Sequence, residues 1–123
     1  SWVKTRRHAG VVPENIFHVT RASDWAEALA AGEYRRSTID RTLEEEGFIH
    51  CSTAAQVPGT LARFYRGVPD LVRLAIDPDR LGGVELRWEG DPEAFPHIYG
   101  PLPVDAVVSA DPIEAPPAEA SPA

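Results

Sequence analysis

Gly47-Phe48-Ile49-His50-Cys51-Ser52-Thr53 is the stretch on which the reading of the fold turns. It has the composition of a short β-strand. Strand side chains alternate between faces, so Phe48, His50 and Ser52 share one face and Ile49 and Cys51 the other. A strand that hides an apolar face has little structural need for an imidazole and a hydroxyl opposite it. Two other segments repeat the pattern. In Ile16-Phe17-His18-Val19-Thr20, His18 and Thr20 oppose Phe17 and Val19. In Phe95-Pro96-His97-Ile98-Tyr99, His97 and Tyr99 oppose Ile98. Three of the four histidines thus sit mid-strand in mostly apolar surroundings, and the expectation is that they converge on one cleft.

The rest of the chain supplies the frame. A strand is expected over 15–20, then a helix through Trp25 and Leu29 with Ser23 as its N-cap and Gly32 as its stop. A loop or short helix over 37–46 ends at Gly47. Thr53 and Gln56 have capping-box spacing, which starts a helix running to about Tyr65, delayed or split by Pro58. Strands follow at 71–77, 84–89, 95–99 and 104–109, with a turn at Asp77-Pro78-Asp79-Arg80. The order β-α-β-α-β-β-β-β is that of an α+β domain. One domain is assigned to residues 15–112, between a flexible N-terminal arm, 1–14, and a disordered Pro/Ala-rich tail, 113–123.

At 123 residues, 43% of them hydrophobic and 25% charged, the chain can bury a core without covalent staples. A net charge of −7 argues against duplex nucleic acid as a partner, while leaving room for a nucleotide in a local pocket. A single cysteine excludes an intrachain disulfide and fits a reducing, cytoplasmic setting. No apolar run approaches the roughly 20 residues that span a bilayer, so no membrane partner is expected.

Several residues are candidates for chemistry. Histidine can orient a substrate hydroxyl or move a proton, which makes His50 and His97 catalytic candidates, with Tyr99 beside His97. Glu89 ranks lower, as a carboxylate that ordinary solvation explains. Ser52 adds a donor near the start of the following helix, whose free N–H groups suit a phosphate. Arg63, on that helix, can reach an anionic ligand. A metal site built from His18, His50, Cys51 and His97 is not expected, because the spacing matches no compact ligand motif and alternation turns His50 and Cys51 to opposite faces. The same alternation disfavours Cys51 as a nucleophile paired with His50.

The strings Ile16-Phe17-His18-Val19-Thr20, Gly32-Glu33-Tyr34, Glu46-Gly47-Phe48-Ile49-His50-Cys51-Ser52 and Phe95-Pro96-His97-Ile98-Tyr99-Gly100-Pro101-Leu102 resemble bacterial domain-of-unknown-function family 952, over about residues 15–109. More distantly the pattern resembles the ADP-ribosyltransferase-type fold, including RNA 2′-phosphotransferases. There a first strand carries a histidine followed closely by Thr or Ser, as in His18-Val19-Thr20. A later strand carries His or Tyr followed by a small hydroxyl residue, as in His50-Cys51-Ser52. The resemblance implies an ADP-ribosyltransferase-like α+β fold, a small, split, bent mixed β-sheet with two or three helices, with a pocket for NAD or an ADP-ribose-like ligand. It implies His18 toward the ribose and His50 toward the nicotinamide or phosphate, with Thr20 among the residues that bind the ligand. The chain departs from the transferase pattern in lacking a clear catalytic Glu in a matching context. Two functions are expected from this cleft: transfer or hydrolysis of an ADP-ribosyl or phosphate linkage, or noncatalytic sensing of a nucleotide-like small molecule.

Overall fold

The computed structural model describes residues 14–118. The elements are β1 (Ile16–Arg21), α1 (Ala22–Ala31), β2 (Glu33–Tyr34), β3 (Arg36–Thr38), β4 (Arg41–Thr42), α2 (Leu43–Glu46), β5 (Ile49–His50), α3 (Val57–Phe64), β6 (Leu71–Ile76), β7 (Glu85–Glu89), β8 (Phe95–Tyr99), β9 (Leu102–Pro103) and β10 (Val107–Ile113). Single 3-10 turns cover Pro78–Arg80 and Val104–Ala106. The fold is α+β, as expected, with three α-helices among the described residues.

Two three-stranded sheets dominate, ordered β1-β6-β10 and β5-β8-β7. The stretch 49–52 joins them. Ile49 and His50 pair with Ile98 and His97 of β8, and Cys51 N–H donates to Pro96 O at 2.9 Å. Ser52 then crosses to β1, exchanging two 2.8 Å backbone hydrogen bonds with Phe17. The sheet is therefore split at this segment. It is not mixed: every strand pairing among the described residues is antiparallel. Parallel neighbours need a crossover that returns the chain to the same end of the same sheet. Here α1 leads from β1 away to the β2-β9 ribbon, and β7 and β8 join through a short loop.

Local signals explain the boundaries. Gly32 and Gly47 end α1 and α2 in the left-handed conformation, at φ 89° and 88°. Thr42 and Glu45 form a reciprocal capping box at α2. Thr53 and Gln56 also exchange capping bonds, at 3.2 and 3.0 Å, and the helix proper begins at Val57 with Pro58 in its first turn. Ser23 is not an N-cap. α1 starts one residue before it, directly off β1, with Arg21 at the cap position and no side-chain cap.

Two apolar clusters hold the sheets. Ile16, Tyr34, Ile49, Cys51, Leu74, Ile76, Ile98 and Leu102 pack with Ala28 of α1, and Val19, Tyr65 and Leu71 pack with Val57 and Leu61 of α3. Part of the tail expected from 113 onward is ordered. Ile113 closes β10, Ile113 and Ala115 pack on the α3 cluster, and Gly67 N–H donates to Pro116 O at 2.9 Å. Residues 1–13 of the expected arm and 119–123 of the expected tail lie outside the described residues.

Candidate functional site

The Phe17–Ser52 pairing decides which histidines can meet. Residues directly opposite each other on paired strands share a face. Ser52 therefore faces the same way as Phe17, and so does His50, two residues before it. His18 falls on the other side. His50 and His97 are themselves a cross-strand pair, with ring centroids 5.3 Å apart. Two of the three histidines converge, and the expectation that His18 joins them is not met.

His18 is instead a core strut, 2% exposed. Its Nδ1–H donates to the His50 carbonyl at 2.6 Å, and its Nε2 accepts from the Tyr34 hydroxyl at 2.7 Å. Both ring nitrogens are satisfied only in the neutral tautomer. Burial is the main reason its pKa falls from 6.5 to about 4. Thr20, on the same face, is buried and bonds to Tyr34. Ser52 is 3% exposed, and its hydroxyl is bonded to that of Thr60 at 2.7 Å. Thus His18, Thr20 and Ser52 serve the fold rather than the cleft. The imidazole–hydroxyl pairing that marked them in the sequence is explained by hydrogen bonds within the core.

Of the other four candidates, His50, Arg63 and His97 line one large cleft of about 820 Å³, within the roughly 300–1,000 Å³ of small-molecule pockets. Its floor is made by β5 and β8, through His50 and His97. Phe48, just before β5, and Phe95 of β8 contribute beside them, and Phe64 from the end of α3. One wall is the β3-β4 turn with Thr38, Ile39 and Arg41, and the opposite lip is the 89–93 loop. Arg63 stands at the rim, beside a smaller cavity of about 180 Å³ that shares Arg63, Phe64, Glu93 and Phe95 with the main cleft. Tyr99 lies just behind, bonded to the cleft residue Glu89.

Glu89, ranked low from sequence, is the hub. Its Oε1 accepts from His97 Nδ1–H at 2.8 Å and from the Tyr99 hydroxyl at 2.5 Å. Those bonds, Tyr99 first, hold its carboxyl below the usual range and keep it ionised. The carboxylate in turn raises the Tyr99 pKa. Phe48 stacks on His97 with centroids 4.0 Å apart and planes 15° apart, and Arg87 lies over Tyr99 at 4.3 Å. The period-2 signal was present: Glu89 ends β7, the strand that pairs with β8, and Glu89 stands opposite Phe95. What the sequence does not show is the register that brings its carboxylate to residues 97 and 99.

His50 is ringed by Phe64, Phe95 and His97 at 5.7, 5.3 and 5.3 Å. Burial, with smaller contributions from His97 and Arg63, lowers its pKa to about 4. Its Nε2 is buried without a hydrogen-bond partner. An orphan of this kind costs about 1–3 kcal/mol, and native proteins rarely leave one without a reason.

The cleft's charge is uneven. Glu46, Glu89, Asp91 and Glu93 line it against Arg41 and Arg63. Arg41 pairs with Glu46 at 2.5 Å. Arg63 has no ion pair among the described residues, only an approach to the Phe64 ring at 5.9 Å. Cys51 is buried on the opposite face, where burial pushes its thiol pKa up and away from thiolate chemistry.

A family model described as "Protein of unknown function (DUF952)" matches residues 19–110. Among solved structures, the chain is similar to the crystal structure of protein CC0527 from Caulobacter crescentus. The two are 33% identical, with a TM-score of 0.71 over 81% of this chain and 86% of that one. The solution NMR structure of CC0527 is 36% identical, with a TM-score of 0.63 over 78% and 81%. Among curated proteins none matches this chain.

Proposed function

The chain belongs to the DUF952 family, and from its cleft we propose that it binds NAD or a closely related ADP-ribosyl nucleotide. One observation carries the proposal: an aromatic-walled cleft holds an ionised, hydrogen-bonded carboxylate, Glu89, beside an imidazole, His50, whose Nε2 has no partner. Flat rings between Phe48, Phe64 and Phe95 suit a nucleobase or pyridine ring. Four carboxylates against two guanidiniums make the cleft a poor site for a bare polyanion. They favour a ligand whose aromatic end is cationic, and the pyridinium of oxidised NAD meets that requirement by cation–π contact and by Coulomb attraction to Glu89. Arg63, without an ion pair among the described residues and placed between the two cavities, suits the diphosphate. In this reading His50 hydrogen-bonds the ligand, while His18, Thr20 and Ser52 have no contact with it.

Calorimetric titration with NAD and ADP-ribose tests the proposal on the wild type and on His50→Ala. Saturable heat is expected for wild type, tighter with NAD than with ADP-ribose, and at least ten-fold weaker for the variant. Absence of heat with both ligands, from folded protein, overturns it. A noncatalytic sensor makes the same contacts and predicts the same heats, and only product formation separates it from an enzyme.

A further inference from the structure

We infer that His97, aligned by Glu89, is a general base that activates water to hydrolyse the glycosidic bond between ribose and pyridinium in the bound nucleotide. The inference rests on the nucleotide reading above and assigns chemistry to it.

The geometry has the order that general-base catalysis needs. His97 Nδ1–H is committed to Glu89 Oε1 at 2.8 Å, so Nε2 carries the lone pair. The ring cannot swing freely, because Phe48 stacks on it at 4.0 Å. The carboxylate is fixed in turn by the Tyr99 hydroxyl on the same oxygen. Base, orienting carboxylate and a group holding the carboxylate are thus in sequence, with the base lining the cleft. Glu89 and Tyr99 are positioning residues in this scheme. Tyr99 is not the acid: its proton is donated to Glu89, and that bond makes it harder to release.

The cleft offers a base without a matching acid. His50, beside His97, is held neutral by burial and has no proton to spare at neutral pH. Such a site suits a bond whose leaving group departs without protonation. An alkoxide or amine leaving group needs a proton, whereas a pyridinium does not. In the step, the water oxygen bonds to the ribose anomeric carbon as the carbon–nitrogen bond breaks. The electron pair of that bond stays on the ring nitrogen, which leaves as neutral nicotinamide. The water proton passes to His97 Nε2, the imidazolium is stabilised by Glu89, and the proton is later released to solvent. The products are nicotinamide, ADP-ribose and one proton, and no redox partner is required.

The test follows nicotinamide release from NAD chromatographically, alongside calorimetric binding of NAD to each protein. Wild type is expected to release nicotinamide, and His97→Ala to lose about 100-fold or more in kcat, in line with general-base contributions of roughly 10²–10⁴. Added imidazole should restore part of the rate to His97→Ala and none to wild type. Glu89→Gln, which keeps the shape, should lower kcat through the lost alignment of His97 and also raise KM, because it removes the charge that attracts the pyridinium. His97→Gln, checked for folding by circular dichroism, covers the case in which the alanine variant unfolds. Wild type that binds NAD yet releases no nicotinamide overturns this inference and leaves the binding proposal standing. Turnover that survives both His97 variants overturns it as well, placing the base elsewhere. No binding by wild type overturns both.

Discussion

Lowering the pH should weaken the fold through His18 in particular. An unfolded histidine titrates near 6.5, whereas folded His18 is held at about 4, chiefly by burial. A depressed folded pKa means that the native state binds fewer protons than the unfolded state. The stabilisation is therefore complete above pH 6.5 and is lost as pH falls from there toward 4. Integrating between those two values gives a loss of about 2 kcal/mol at pH 5, rising to about 3 kcal/mol below pH 4. Protonation would also place a donor on Nε2 against the Tyr34 hydroxyl, which now donates to it. Urea denaturation of wild type and His18→Gln at pH 7.5 and pH 5.0 measures the effect. Glutamine offers an amide N–H and an amide oxygen but does not titrate, and His50 remains in both proteins, so its own contribution cancels. Wild type should lose about 2 kcal/mol more than the variant over this interval. Parallel losses in the two proteins would refute the assignment of His18 as a buried neutral strut.

Arg63→Ala should leave the denaturation midpoint nearly unchanged, since the side chain is exposed and has no ion pair among the described residues, and should weaken NAD binding by about 10- to 100-fold, the worth of a charge-assisted hydrogen bond. Calorimetry on the folded variant checks it. Cys51 should resist alkylation in native buffer and react only after denaturant is added, as its buried, hard-to-ionise thiol requires; a thiol-reagent time course reads this directly. Gly90→Ala should cost about 1–3 kcal/mol and slacken the cleft lip, because φ there is 125° and an added Cβ would stand 2.5 Å from the Glu93 carbonyl oxygen. Thermal denaturation gives the stability loss, and a matching fall in NAD affinity reports the lip.

The sequence made the α+β class and most elements legible, because strand alternation, Gly32, Gly47 and the Thr53–Gln56 box are local signals. It also pointed to His50, His97 and Tyr99 as neighbours, since residues 97 and 99 share a face by parity alone. It misplaced His18 and Thr20 because parity within β1 says nothing about which face of β1 matches which face of β5. Only the Phe17–Ser52 bridge sets that, and a one-residue difference in register would have reversed it. Glu89 was undervalued for the same reason: its meaning comes from pairing β7 with β8. The expected mixed sheet failed because the direction of each strand depends on where the connections travel, which periodicity does not encode.

The most direct test of the account is where the ligand lands. In ¹H–¹⁵N spectra of labelled protein titrated with NAD, shifts should concentrate at His50, Arg63, Phe64, the 89–95 loop and His97, with the imidazole nitrogens of His50 and His97 moving and those of His18 unchanged. Spectra that do not respond, or shifts centred on His18, Thr20 and the α1 face, would contradict it.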